Sequence, residues 1–449
     1  MASATSLNRR IVNGTFWTIV GYGTSQMIRF ASNLVLTRLL APELFGLMAL
    51  VNVFLVGLQL FSDVGITPSI VQNKRGEDPD FYNTAWTIQV LRGMALWIVC
   101  CLITYPVAQF YQEPQLYWLL PVVSLSTIIS GFNCTAFATL KRRLEVGRIA
   151  IYEILVQVVS ISILLIWAYL NPTIYALAGG SVVGAVIKTA FSYWLIRGYK
   201  NWFAWDKTAL QEIFSFGRWI FVATAMTFLA TQTDRLMLGK LISIEVLGVY
   251  TIAATLADLP RQVIGLLGSN VIFPTISRSL DTPRSELRTK ILGKRWILLL
   301  GAAIALTIMV SLGDLVIRTL YDSRYNQAAW MLPVLALSLW HTLLYNSMNP
   351  CLMGVGRPVY GAIGNMLRFL ILLVVMPFSY DWLGIGGVII TIAFSDLPMY
   401  FVVVYGLWKE KLNTAIQDIK ATVLFLILLA ASLGLREWLG FGSPFTGLF

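Results

Sequence analysis

Ionisable side chains interrupt long apolar stretches of the chain at Arg29, Asp63, Arg92, Glu153, Lys188, Arg218, Asp234, Asp258, Arg261, Arg368 and Asp396. A charge removed from water is costly unless it faces a cavity or a partner, so each of these is a candidate for binding or relay. The arginines carry permanent charge and paired donors suited to phosphate or carboxylate groups. The mid-stretch carboxylates of Asp258 and Asp396 are candidates for taking up a proton or a cation. Asp63, beside Gly65 at the end of an apolar stretch, reads as a helix-end or gate residue. Asp258 and Arg261 stand three residues apart, on one face of a helix, and this spacing fits either a cavity role for Arg261 or a local ion pair. Asp234 and Arg235 lie near a stretch end, from which long side chains can reach the interface.

Other chemistries find little support. Cys100, Cys101, Cys134 and Cys351 have neither Cys-x-x-Cys nor Cys-His spacing, and the single histidine, His341, leaves nothing for a multi-histidine site. No metal or cofactor is expected beyond a coupling ion, proton or sodium. Net charge is +11, but the basic residues recur between apolar stretches and do not gather in one stripe, so nucleic acid is not an expected partner.

The elements that must carry these residues follow from composition. Apolar residues make up 57% of the 449 and charged residues only 12%, with mean hydropathy +0.73, which excludes a water-soluble fold. Windows of roughly 20 apolar residues predict thirteen membrane spans, near 12–36, 43–69, 82–108, 116–140, 149–171, 174–196, 215–238, 246–274, 294–317, 328–353, 358–379, 384–407 and 419–436. Arg29 interrupts the first, and no cleavage site closes a short apolar core, so it reads as a retained helix. Alternate loops differ sharply in basic content: 21 of the 33 Lys and Arg fall in one set, Arg295 among them, and 6 in the other, Arg436 among them. The positive-inside rule then puts the N-terminus in the cytoplasm. No loop between spans is long enough for a soluble domain.

Sliding the sequence against itself exposes a repeat at an offset of 202, where Trp17 meets Trp219, Arg38 meets Lys240, Glu43 meets Glu245 and Gly46 meets Gly248. Two parallel six-helix lobes are expected, related by an axis along the membrane normal. Their boundaries are read as 1–200 for the first lobe and 215–408 for the second. Residues 201–214, with Trp202 and Trp205, form a cytoplasmic linker of interfacial-helix character, and 409–449 hold one extra span and a tail.

The segments GTFWTIVGYGTSQMIRFASNLVLTRLLAPELFGLMAL and FSDVGITPSIVQ resemble the opening helices of Wzx-type polysaccharide flippases. QTDRLMLGKLISIEVLGVYTIAATLADLP and VIFPTISRSL resemble their second-half counterparts, and the likeness runs from about residue 8 to residue 410. The resemblance implies an all-α polytopic membrane protein, with two six-helix lobes around a central cavity that opens alternately to either side. It implies a bacterial inner-membrane location and undecaprenyl-diphosphate-linked oligosaccharides as cargo, with polysaccharide polymerase machinery as a further partner. For such a cargo a cationic cavity is expected, with Arg29 and Arg261 the foremost candidates, then Arg92, Arg368 and Lys188. Asp258 and Asp396 are the coupling candidates and Asp63 the gating one. A multidrug extruder of the same fold, or a membrane enzyme of polysaccharide assembly, remains open as an alternative.

Overall fold

A computed structural model of the chain describes residues 2–63, 65–143, 145–196, 198–267 and 283–447. The matched segment at 271–280 and Pro274 lie outside these residues, as does the side chain of Arg218. Every regular element described is helical, and the chain divides into two compact units, 1–228 and 229–449.

The first unit contains α1 (Ala2–Leu39), α2 (Pro42–Phe61), α3 (Ile66–Gln72), α4 (Pro79–Tyr111), α5 (Leu116–Gly131), α6 (Ala136–Arg142), α7 (Val146–Leu170), α8 (Ile174–Ser192) and the start of α9 (Lys207–Leu241). The second continues α9 and adds α10 (Ile244–Ala257), α11 (Leu259–Leu267), α12 (Arg284–Leu320), α13 (Ala328–Asn346), α14 (Asn349–Gly354), α15 (Val359–Phe394), α16 (Leu397–Lys409) and α17 (Ala415–Trp438). Each of the thirteen expected spans coincides with a helix or a broken helix pair, although residues 268–274 of the eighth are not described. Among the described residues, eight helical stretches are apolar and long enough to cross a membrane, or nine with the bent α5–α6 pair. Leu102, Tyr169 and Ile297 are each more than 70% exposed. Water would penalise that apolar surface, and lipid does not.

The repeat is visible helix by helix. At the offset of 202, the end of α1 at Leu39 falls on the end of α9 at Leu241, and the start of α2 at Pro42 falls on the start of α10 at Ile244. Both second helices are entered through an extended residue, Ala41 or Ser243, which sets the turn between antiparallel neighbours. Both then break at an aspartate. After α2, the Asp63 carboxylate accepts the Gly65 N–H at 2.9 Å, and Gly65 sits in the left-handed region at φ 67°, which glycine adopts without strain. After α10, Asp258 takes the C-cap position, two residues before Pro260.

The fourth helix of each unit is also broken, at α5–α6 by a 59° bend and again at α13–α14. A break frees carbonyl oxygens that must find other donors in a dry interior. Gln89 of α4 donates to Gly131 O at 2.9 Å and to Asn133 O at 3.0 Å. The matching place on α12 belongs to Arg295, which donates to Ser347 Oγ at 2.8 Å and Leu344 O at 3.0 Å. Arg295 is fully buried, which corrects its placement in a solvated loop.

Two features shape the end of the second unit. The helix α15 folds back on itself at Gly384, whose φ of 59° and ψ of −144° are non-helical. Thr391 Oγ1 lies 2.9 Å from Ser379 Oγ, whereas twelve residues of straight helix would separate them by about 18 Å. The two expected spans are therefore an antiparallel hairpin. Next, α17 packs along α12 and is pinned by two buried ion pairs, Arg295–Asp418 and Arg436–Asp314, each at 2.5 Å. Both pairs run in the same chain order, so α12 and α17 are parallel. The pairs stand roughly 28 Å apart along α12, close to the hydrocarbon thickness of a bilayer. Arg436, expected in an outer loop, is likewise only 4% exposed.

The segment from Tyr199 to Asp206 carries no helix. The N–H groups of Trp202, Ala204 and Asp206 donate to Asn83, Thr87 and Thr84 of α4, which lays this extended strip against that helix. Arg75 ties down its end, donating to Asp206 at 2.7 Å and to Asp78 at 2.9 Å. The hydrogen bond from Arg75 holds the Asp206 carboxyl below the usual carboxylate range. Nearby, the hydrogen bond from Arg143 does the same for Glu77.

Candidate functional site

In the first unit, two of the predicted cations meet at one pocket. Arg92 of α4 and Lys188 of α8 line an open cavity of about 310 Å³ together with Gln59, Gln89, Thr127 and Asn133. Among the described residues, no carboxylate lines it. Arg92 is positioned by the break after α2, donating from Nε to Ser62 Oγ at 2.8 Å and from Nη2 to Gln59 O at 2.7 Å. A guanidinium at that helix C-terminus also meets the negative end of the helix dipole. Lys188 is exposed, and its backbone carbonyl accepts from Tyr152 at 2.8 Å. Gln89, whose amide satisfies the carbonyls at the α5–α6 break, and Asn133, whose Oδ1 accepts from Thr189 at 2.8 Å, add polar groups to the lining. Asp63 lies just below, near enough for its charge to act on Arg92.

The second unit gathers a balanced cluster. Asp234 and Arg235 of α9, Asp258 and Arg261 at the α10–α11 break, Arg368 of α15 and Asp396 before α16 surround a small cavity of about 70 Å³. Arg261 and Asp258 form the local pair that their spacing allowed, at 2.6 Å with both side chains about 30% exposed. Arg368 pairs with Asp396 at 3.0 Å, both about nine-tenths buried. The Asp396 carboxylate also accepts from Thr342 at 3.0 Å, and Asp234 accepts from Tyr250 at 2.6 Å. Asp234 is thus turned into the protein interior and does not extend to an interface. His341, buried on α13, stacks over Phe394. Among the described residues Asp234 Oδ1, Arg368 Nε and His341 Nε2 find no hydrogen-bond partner. A cavity of this size holds a few waters or a small ion, not a sugar.

Arg29 does not line the first-unit pocket. It is exposed on α1, and among the described residues no carboxylate pairs with it. The structure brings Arg92 together with Lys188, and Arg261 and Arg368 together with Asp258 and Asp396. It does not bring Arg29 to the Arg92–Lys188 pocket. Residue types alone placed Arg261 and Arg368 with the substrate and Asp258 and Asp396 with coupling, whereas the geometry pairs each arginine with one of those aspartates. Gln59, Gln89 and Asn133 went unnoticed because neutral amides in an apolar stretch carry no charge signal.

Comparison with known proteins agrees with this architecture. A family profile described as "Polysaccharide biosynthesis protein" matches residues 35–330, well over half of the chain. The teichuronic acid biosynthesis protein TuaB of Bacillus subtilis (strain 168) is 23% identical, over 78% of this chain and 73% of its own length. The lipopolysaccharide biosynthesis protein WzxC of Escherichia coli (strain K12) is 21% identical, over 81% and 70%. The succinoglycan biosynthesis transport protein ExoT of Rhizobium meliloti (strain 1021) is 21% identical, over 78% and 70%. Among solved structures, an inward-facing multidrug resistance MATE family transporter of the MOP superfamily superposes with TM-score 0.66 at 15% identity, covering 88% of this chain and 98% of that one. The lipid II flippase MurJ, in an inward closed conformation, superposes with TM-score 0.64 at 13% identity, covering 95% and 91%. With the profile match, the repeated lobes and the charged pockets inside them, the chain belongs to the polysaccharide biosynthesis protein family, as a multi-pass Wzx-type flippase and not an enzyme.

Proposed function

We propose that the chain moves undecaprenyl-diphosphate-linked oligosaccharide repeat units from the cytoplasmic to the periplasmic leaflet of a bacterial inner membrane, for exopolysaccharide or O-antigen synthesis. The movement is by alternating access through a cationic cavity, with the N-terminus cytoplasmic. The observation that carries this reading is the first-unit pocket, where Arg92 and Lys188 stand among amides and hydroxyls with no carboxylate among the described residues of the wall. A diphosphate is matched by fixed cations, and sugar hydroxyls are matched by Gln, Asn, Ser and Thr. An extruder of cationic drugs would place acidic groups there. Arg29, exposed on α1, supplies further positive charge. Relatives named for polysaccharide synthesis and transport, and a structural likeness to a lipid II flippase, support the cargo class.

Coupling is assigned to the balanced cluster of the second unit. Protonation or cation capture at Asp396 or Asp258 would free Arg368 or Arg261 from its partner. Such a local change of charge can bias a two-state element.

The test is translocation of a defined undecaprenyl-diphosphate oligosaccharide in proteoliposomes, with proton or sodium gradients imposed. Loss of at least about tenfold in Arg92→Gln/Lys188→Gln, at matched incorporation, is expected from removing two charge-assisted contacts. Unchanged transport in that variant would overturn the cationic pocket. Failure of the unmodified protein to move any glycan lipid, alongside export of a small cation, would overturn the flippase reading.

A further inference from the structure

A second cationic site, sharing no residue with either pocket, lies where α12 and α17 enter the apolar zone side by side. Between them is a cleft of about 380 Å³, lined by Arg288 and Trp296 on one side and by Thr414, Gln417 and Lys420 on the other. Arg288 is held rigidly, because its Nε donates to Asn413 O at 2.7 Å, which leaves both terminal nitrogens directed elsewhere. Among the described residues no carboxylate pairs with Arg288 or Lys420, although neighbouring Lys290 is paired with Glu286 at 2.7 Å. The floor is closed by Gln417, whose amide donates to Leu292 O at 2.8 Å, and behind it lies the buried Arg295–Asp418 pair. This floor is fixed before any ligand arrives.

Its surroundings identify the ligand. The sequence of α12 changes at this level from RSELRTK to an apolar run beginning at Trp296, so the cleft sits at the polar edge of the bilayer, where tryptophan side chains gather. Two rows of exposed apolar side chains start there, Ile297 and Ile304 on α12 and Ile416, Ile419 and Val423 on α17. A cationic cleft opening onto two apolar tracks complements a phosphate group carrying acyl chains. A soluble anion would make no use of the tracks.

We propose that this cleft binds the phosphodiester headgroup of an anionic phospholipid, with its acyl chains lying along the exposed faces of α12 and α17. Arg288 and Lys420 neutralise the phosphate, Gln417 offers a hydrogen bond, and Trp296 packs against the glycerol region. The site is independent of the transport reading, since it shares no residue with either pocket.

The test is native mass spectrometry of the full chain in detergent, titrated in parallel with phosphatidylglycerol, phosphatidylcholine and inorganic phosphate. Phosphatidylglycerol adducts should exceed phosphatidylcholine adducts by about tenfold, as two basic residues near a lipid surface allow. Arg288→Gln/Lys420→Gln should bring the two lipids level, and Lys420→Gln alone, at an exposed position, should fall between. Equal binding of both lipids by the unmodified protein, or undiminished phosphatidylglycerol binding in both variants, would overturn the proposal. Inorganic phosphate that displaces phosphatidylglycerol at equal concentration would reassign the cleft to soluble anions and overturn the lipid assignment.

Discussion

At the scale of single residues, the two ion pairs of the second-unit cluster differ in burial and should differ in cost. Asp396→Asn leaves the Arg368 guanidinium nine-tenths buried beside a neutral partner, and breaking such a pair costs about 3–5 kcal/mol. Asp258→Asn removes a partly exposed partner and should cost about 1 kcal/mol or less. Thermal unfolding in detergent should order the two accordingly, and an equal loss would contradict the burial argument. A second residue-scale expectation concerns acid. Asp206 has its carboxyl depressed in the folded state, so its contribution is fully present above the unfolded value and is lost as pH falls through the folded one. Below about pH 4 the strip from Tyr199 to Asp206 should loosen from α4 in the unmodified protein. Asp206→Asn should already be loosened at neutral pH and gain nothing further from acid, as read by hydrogen exchange. These charges were legible in sequence because an ionic group in an apolar run is conspicuous. The Asp258–Arg261 pair was offered by its spacing, but the Arg368–Asp396 pair was not legible, since the two meet only through the hairpin turn at Gly384.

At the scale of elements, both units solve one problem with different chemistry. The break of the fourth helix is satisfied by neutral Gln89 in the first unit and by Arg295 in the second, where Asp418 from α17 balances the charge. Arg295→Gln alone should therefore destabilise strongly, by about 3–5 kcal/mol, because Asp418 is left buried and unpaired. Arg295→Gln/Asp418→Asn should recover most of that loss, since the first unit already works with an amide. Differential scanning fluorimetry of the single and double variants would decide, and no recovery in the double would show that the amide does not substitute. The spans themselves were readable from apolar runs, with ends falling where Pro42, Pro79 and Ser243 start helices. The break after α2 was signalled by Asp63 beside Gly65, but the one after α5 was not, because Asn133 to Thr135 interrupt an apolar window without ending it. Arg295 was misread for a related reason. A basic residue just before an apolar run looks like a loop cation, and its counter-charge stands far along the chain.

At the scale of the whole molecule, the parallel packing of α12 and α17 constrains topology. Whichever face α12 leaves, α17 leaves too, so the segment after Trp438 emerges on the face where Leu320 ends. On the proposed cytoplasmic N-terminus and the thirteen crossings expected from the sequence, that face would be periplasmic. Ser443→Cys, at an exposed position, should be labelled by a membrane-impermeant maleimide in spheroplasts, and Lys74→Cys should be labelled only after permeabilisation. The reverse pattern would invert the orientation, and labelling of both from outside would exclude the odd count. The two-lobed repeat was visible in the sequence through matched Trp, Glu and Gly positions at the helix junctions, where turn geometry restricts residue choice. Pocket composition needed three dimensions, because Gln89, Arg92 and Lys188 come from helices whose contacts the repeat does not specify.

The twin ion pairs between α12 and α17 also bear on how the protein is made. The ribosome delivers α12 well before α17, and until the later helix arrives Arg295 and Asp314 have no counter-charge from it, near opposite edges of the hydrocarbon. A nascent chain in that condition is poorly suited to release into lipid and is better held beside the insertion machinery or kept wet by water defects. Chains cut short before Ala415 would present two buried charges to the bilayer, a signature that membrane quality-control proteases can act upon. Docking of α17 therefore closes the second lobe and can serve as the step at which biosynthesis is committed.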